Sequence, residues 1–232
     1  MEDIAANVAL LRERIERAAA LAGRGPGEVS FVAATKTNGA EKVRAAIAAG
    51  VDACGENRVQ ELLEKNSQGA YAGAPLHFIG SLQKNKVKYL VGTVDLIQSV
   101  DSLELAELIG KKAVQLGLVQ PILLEVNIGH EEAKSGVAPE EAEELLSRLS
   151  AVAGIEVRGL MAIPPAPGPG EKNDGYFEKM YHLFVDMRAK KYDNVTMSIL
   201  SMGMSGDFEA AIACGSNMVR IGSAIFGERI YR

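Results

Sequence analysis

Apolar positions recur along this chain with two different periods. Ile4, Val8, Leu11 and Ile15 stand three or four residues apart, with Arg12, Glu13, Arg14, Glu16 and Arg17 around them. That spacing predicts an amphipathic helix over 3–22, stopped by Gly23 and Gly25-Pro26. The next apolar run, 29–35, is a strand. Its period of two puts Val29, Phe31, Ala33 and Thr35 on one face, and Ser30, Val32, Ala34 and Lys36 on the other.

The alternation repeats down the chain. Further strands are predicted at 51–54, 76–79, 94–98, 121–127, 155–161, 195–200 and 217–221. Helices are predicted at 41–49, 58–65, 83–90, 102–116, 140–152, 176–190 and 207–213. A polar loop covers 129–136. The segment 163–170, with Pro164, Pro165, Pro167 and Pro169, reads as a stiff loop and is too short for an interdomain linker. Strands alternating with helices mean parallel pairing through helical crossovers. The expected fold is a single (β/α)8 TIM-type barrel with an extra N-terminal helix, one domain over 1–232. The N-terminal helix has two open uses, covering the barrel bottom or meeting a partner. An open doubly wound sheet is the alternative fold. Its first turn carries a glycine-rich dinucleotide fingerprint, which Thr35-Lys-Thr-Asn-Gly39 is not.

Composition narrows the function classes. A net charge of −5 gives no reason to expect nucleic acid. No run approaches the roughly 20 apolar residues of a membrane helix. The charged N-terminus lacks a secretion signal, so the expected location is cytoplasmic. Cys54 and Cys214 lie in no metal or redox spacing and read as buried thiols. The three histidines are scattered, so no metal site is expected.

The candidate chemistry lies at strand ends. Barrel active sites form at the C-terminal ends of the strands. Lys36 ends the first strand, among small residues that would partly desolvate its amine and favour attack on an aldehyde. Phosphate often binds after strands seven and eight. There stand Ser201-Met-Gly-Met-Ser205, and Gly222-Ser223 opening a helical turn at 224–226. Glycine admits a close ligand, and a helix start offers free N–H groups. Arg220 shares a strand face with Met218 and Gly222 and points inward, toward an anion or ring nitrogen, or toward Glu156 or Asp207 in a buried ion pair. Asn57 either reaches a ligand or caps the helix from Arg58. His77 reads as core, and Lys134 as part of a solvated loop. Aldehyde-reactive lysine, phosphate cradle and nitrogen partner are the handles that hold pyridoxal 5′-phosphate.

Several runs together resemble one family, the pyridoxal phosphate homeostasis proteins, whose barrel looks like the N-terminal barrel of alanine racemase. They are Ala34-Thr-Lys-Thr37, Gly55-Glu-Asn57 with Val59-Gln-Glu61, His77-Phe-Ile-Gly80, Gln98-Ser-Val-Asp101, Lys134-Ser-Gly136, Gly159-Leu-Met-Ala-Ile-Pro164, Ser201-Met-Gly-Met-Ser205 and Val219-Arg-Ile-Gly222. The resemblance implies a Schiff base on Lys36 and Arg220 against the pyridine nitrogen. It also implies Ser201, Ser205, Gly222 and Ser223 around the phosphate. Asn38-Gly39, Cys54, Arg58 and Leu76 depart from the family's usual residues, at positions expected to line the mouth.

Two functions follow from this reading. One is a non-catalytic protein that stores pyridoxal phosphate and delivers it to apoenzymes, as a monomer or weak dimer. The other is a racemase-like enzyme acting on amino acids through that cofactor. The first is favoured because no second acid/base is evident, Tyr231 being the nearest stand-in for the base that racemases take from a second domain. A Schiff-base aldolase, using Lys36 without the cofactor, is a third reading.

Overall fold

Each predicted strand finds a parallel partner on either side, and the sheet closes on itself. The computed structural model describes residues 3–166, 168 and 172–227. Its strands are β1 (Ser30–Ala34), β2 (Ala53–Glu56), β3 (Leu76–Phe78), β4 (Leu96–Val100), β5 (Gln120–Val126), β6 (Ile155–Ala162), β7 (Val195–Ser201) and β8 (Met218–Ile221). They form a closed barrel in chain order, with Val32 opposite Arg220 where β1 meets β8. The helices are α1 (Ile4–Leu21), α2 (Ala40–Ala48), α3 (Val59–Ser67), α4 (Val87–Leu90), α5 (Leu103–Gln115), α6 (Ala142–Leu149), α7 (Asp174–Arg188), α8 (Phe208–Ala213) and α9 (Ser223–Phe226). This is the expected (β/α)8 barrel with its N-terminal helix. The helix expected at 83–90 divides into a 3-10 turn, Lys84–Lys86, and the short α4.

The period of two sorts the side chains into layers. Val32, Ala53, Leu96, Leu123, Met161 and Met218 fill the interior. Phe31 and Ala33, one step out of phase with Val32, face the helices. So do Cys54, Leu76 and Phe78. Cys54 and Leu76 pair across β2 and β3 and belong to this outer core, and Arg58 is exposed at the start of α3. The expectation that Cys54 and Leu76 line the mouth is therefore corrected, since alternation turns both outward. Both cysteines are free thiols; burial, helped by the nearby Glu56 charge, pushes Cys54 up to about 12.

Helix α1 lies against the side of the barrel and not across its bottom. Because α9 is a single turn, the outer face of β8 and β1 lacks a full crossover helix, and α1 fills that gap. Its Val8, Leu11 and Ile15 bury against Phe31, Val219, Ile221 and Phe208. Removing three such side chains from water contributes on the order of 6 kcal/mol, as an upper bound. Asp3 caps the helix by accepting from the Ala6 N–H, and Asn7 Nδ2 donates to the Ile225 carbonyl at 3.0 Å. Arg14 pairs with Glu209 over the Phe208 ring. Among the described residues no helix is long and apolar enough to cross a membrane, and no cluster of metal-ligating side chains occurs.

Candidate functional site

Alternation turns His77, Gln98, Ser201 and Arg220 into the barrel. Each lies two residues from an interior residue or out of phase with an outward one. All four are buried and joined in one chain. Arg220 NH1 donates to Ser201 Oγ at 2.6 Å, and NH2 donates to the Ala162 carbonyl at 2.9 Å. Ser201 Oγ donates to Gln98 Oε1 at 2.7 Å, and Gln98 Nε2 contacts His77 Nδ1 at 3.0 Å. Neither expected carboxylate pairs with Arg220. Glu156 is taken by Arg158 at 2.8 Å, and Asp207 accepts from the Met204 N–H and from Asn173. Burial pulls the Arg220 guanidinium down to about 10, with Glu125 and Asp207 opposing. The group stays charged at neutral pH.

Lys36 follows β1 in the turn Thr35–Lys36–Thr37. Pairing places this turn between the ends of β2 and β8. On the β2 side stands Asn57. It does not cap α3, because Arg58 occupies that position in extended conformation and makes no side-chain cap bond. Instead the Asn57 side-chain oxygen is buried without a partner. A Cβ at Gly80 would lie 2.2 Å from the Asn57 carbonyl, so only glycine lets the end of β3 pass this residue. On the β8 side stands Gly222, where a Cβ would meet the Ala34 carbonyl at 3.2 Å. Ser205 Oγ lies 3.3 Å from the Gly222 amide and 3.4 Å from the Ala224 amide, accepting long hydrogen bonds from both. Ser223 opens α9 and is exposed.

The sequence profile of the alanine racemase N-terminal domain family matches residues 4–230. The pyridoxal phosphate homeostasis protein of Aquifex aeolicus is 45% identical over 219 residues, spanning 94% of this chain and 95% of that protein. The chain belongs to the pyridoxal phosphate homeostasis protein family. Among solved structures, PipY of Synechococcus elongatus, determined with PLP bound, is 32% identical with a TM-score of 0.79, over 92% of this chain and all of that one. An alanine racemase of Clostridium difficile, 19% identical with a TM-score of 0.71, shares the fold over 97% of this chain and 60% of its own.

Within this family fold, two parts of the mouth were missed by reading the residues. Glu125, on β5 opposite Met161, faces the interior two residues past Leu123. Its Oε1 accepts from Ser135 Oγ at 2.9 Å, while Oε2 is buried without a partner. Burial pushes this carboxyl up to about 6; Asp101 adds to the rise, and Ser135 and Arg220 oppose it. Its period-two relation to Leu123 was the available signal. The second part is the set of ties behind Lys36, taken up below. Lys134, expected in a solvated loop, pairs with Glu131 and donates to the Pro164 carbonyl at 3.2 Å. Tyr231 lies outside the described residues.

Proposed function

We propose that the chain binds pyridoxal 5′-phosphate in the barrel mouth, holds it covalently through Lys36, and serves its storage and delivery inside the cell. Arg220 is the observation that carries this reading. A buried guanidinium, fixed by Ser201 and Ala162, has further N–H donors beyond those two bonds for a ligand in the barrel. Family membership supports the same ligand, since the Synechococcus relative was solved with it.

The bound group supplies an aldehyde, a phosphate and a pyridine ring that can act as electron sink. The residues present fit those three demands. Lys36 offers the amine. Ser205, Gly222 and Ser223 would meet the phosphate, and the Ser205 hydroxyl lies against two amides that an anion's oxygen could use. The Asn57 oxygen, buried without a partner, would be open to a ligand donor. Arg220 has only donors to offer a ring nitrogen, so it would keep that nitrogen unprotonated and the sink weak. Ser201, implied as a phosphate ligand by the resemblance, has its proton committed to Gln98 and one lone pair to Arg220. Its part is to orient Arg220. This reading carries with it one barrel unit over the chain, a cytoplasmic location, apoenzymes as recipients, and a monomer or weak dimer.

One observation favours the racemase-like alternative. Glu125 is a buried carboxyl in the mouth, pushed up to about 6 by burial, toward the range in which a general acid or base works. The weak sink argues against it. The test is spectroscopic and then kinetic. The purified protein should show a visible absorption band that borohydride abolishes, with the reduced label on Lys36. Steady turnover of any amino acid, lost in both Lys36→Ala and Glu125→Gln, would replace the carrier reading by the enzyme.

A further inference from the structure

The peptides flanking Lys36 are held from behind the barrel wall. Thr35 shares the outward face of Phe31 and Ala33, and Glu56 shares that of Cys54. There Glu56 Oε1 receives three donors: Lys65 Nζ at 2.5 Å, Thr35 Oγ1 at 2.6 Å and Tyr71 OH at 3.0 Å. Lys65 Nζ also donates to the Thr35 carbonyl at 2.9 Å and stands 3.7 Å from Glu61 Oε2. Glu61 Oε2 accepts from the Thr37 N–H at 2.8 Å. The carbonyl of Lys36 itself accepts from Thr37 Oγ1 at 2.6 Å and Asn38 Nδ2 at 3.0 Å.

Two features of this cluster run against stability. Glu56 and Lys65 are fully buried or nearly so, and burying two charges costs desolvation that hydrophobic packing would avoid. Thr37, a β-branched residue, is held at φ +64°, in the left-handed region where such residues are outliers. Strain and buried charge that persist beside a reactive group point to a role for that group.

We propose that Glu56, Lys65 and Glu61 form a clamp that fixes the backbone on both sides of Lys36 and so sets the direction and reach of its amine toward an aldehyde ligand. These are positioning residues; none touches the ligand. The inference rests on the pyridoxal phosphate reading. The step it serves is condensation: the neutral amine forms one C=N bond with the aldehyde carbon, and the carbonyl oxygen leaves as water. A turn free to swing would lower the amine's effective concentration at the aldehyde without altering the rest of the mouth.

The test compares two ligands that differ at one group. Pyridoxal 5′-phosphate carries the aldehyde; pyridoxamine 5′-phosphate carries an amine instead and cannot condense with lysine. Equilibrium binding of both is measured for the wild type, Lys36→Ala, Glu61→Ala and the double variant Glu56→Gln/Lys65→Met, which removes both buried charges together. Glu61 sits at the edge of the cluster, so Glu61→Ala decides the matter if the double variant does not fold. In the ligand-free proteins, the rate at which a small aldehyde and borohydride label Lys36 is followed by peptide mapping. The clamp predicts that Glu61→Ala and the double variant lose about tenfold or more in affinity for pyridoxal 5′-phosphate, label more slowly at Lys36, and keep wild-type affinity for pyridoxamine 5′-phosphate. Equal losses for both ligands would reduce the cluster to a structural tie. Unchanged affinity for both, with unchanged labelling, would also overturn the clamp. A wild type that binds neither ligand would overturn the cofactor reading beneath it.

Discussion

Arg220 dictates which nitrogen of His77 carries a proton, although three hydrogen bonds separate them. A guanidinium can only donate. Ser201 Oγ must therefore accept from it, and its own proton goes to Gln98 Oε1. The Gln98 amide nitrogen is then turned to His77, whose Nδ1 must accept. The ring is left neutral, with its proton on Nε2. Nitrogen chemical shifts should show an unprotonated Nδ1 at pH 7 and still at pH 5. Ser201→Ala cuts the chain, frees the Gln98 amide to turn over, and should let both tautomers appear. Its cost to stability is about 1–3 kcal/mol, the usual consequence of stranding a buried polar group.

The same imidazole sets a stability slope in acid. Burial pushes His77 down to about 4, only partly opposed by Asp95. The unfolded chain, with an ordinary imidazole, binds the proton more readily between pH 6.5 and 4. Folding stability from this group is therefore complete above pH 6.5 and is lost as pH falls through 4, a change of about 3 kcal/mol. His77→Gln keeps an acceptor for Gln98 but cannot titrate. In urea unfolding, its stability relative to wild type should improve by about 2–3 kcal/mol between pH 7.5 and pH 4.5.

Glu125 works in the opposite direction. Burial holds its carboxyl near 6, against an ordinary 4.5, despite Ser135 and Arg220. Here the folded state holds the proton more tightly. The contribution is present below pH 4.5 and lost as pH rises through 6, amounting to about 2 kcal/mol. Glu125→Gln preserves an acceptor for Ser135 and removes the buried charge. It should stabilise the protein by about 2 kcal/mol at pH 7.5 and leave it unchanged at pH 4. In the wild type the His77 and Glu125 slopes offset each other between pH 4.5 and 6, so the two single variants should show opposite slopes there.

Much of this architecture was legible because it depends on local period. Alternating helix and strand signals gave eight parallel strands and a closed barrel, and the period of two turned Arg220 inward beside Met218. The same rule, applied to residues 54 and 56, puts Glu56 outward toward the helices, while Leu62 and Lys65 share the buried face of α3. A carboxylate and a lysine facing one another across that layer were thus readable in principle. What period cannot supply is pairing at long sequence distance. Ser201 and Gln98 are 103 positions apart, and only barrel closure shows that the serine belongs to Arg220 and Gln98. The docking place of α1 was equally hidden, since it depends on how short α9 proved to be.

Reversing the charge at Arg220 tests the site most severely. In Arg220→Glu a carboxylate would replace a donor that now serves Ala162 O and Ser201 Oγ. It would also stand near Glu125 and Asp207, whose charges now favour the guanidinium. Like charge and burial both raise a carboxyl, so the new group should hold its proton well above the ordinary range. The variant should therefore lose stability as pH rises, while Arg220→Gln, with no charge to bury, should not show that slope. In the cofactor-loaded protein the consequence is chemical. An acid facing the ring nitrogen gives a proton where arginine withholds one, which strengthens the electron sink. The expected outcome is an altered visible spectrum and weak racemase or transaminase side activity in Arg220→Glu, with neither in Arg220→Lys. A visible spectrum identical to wild type in Arg220→Glu would mean that Arg220 does not face the ring, and the quiet-carrier reading would lose its main support.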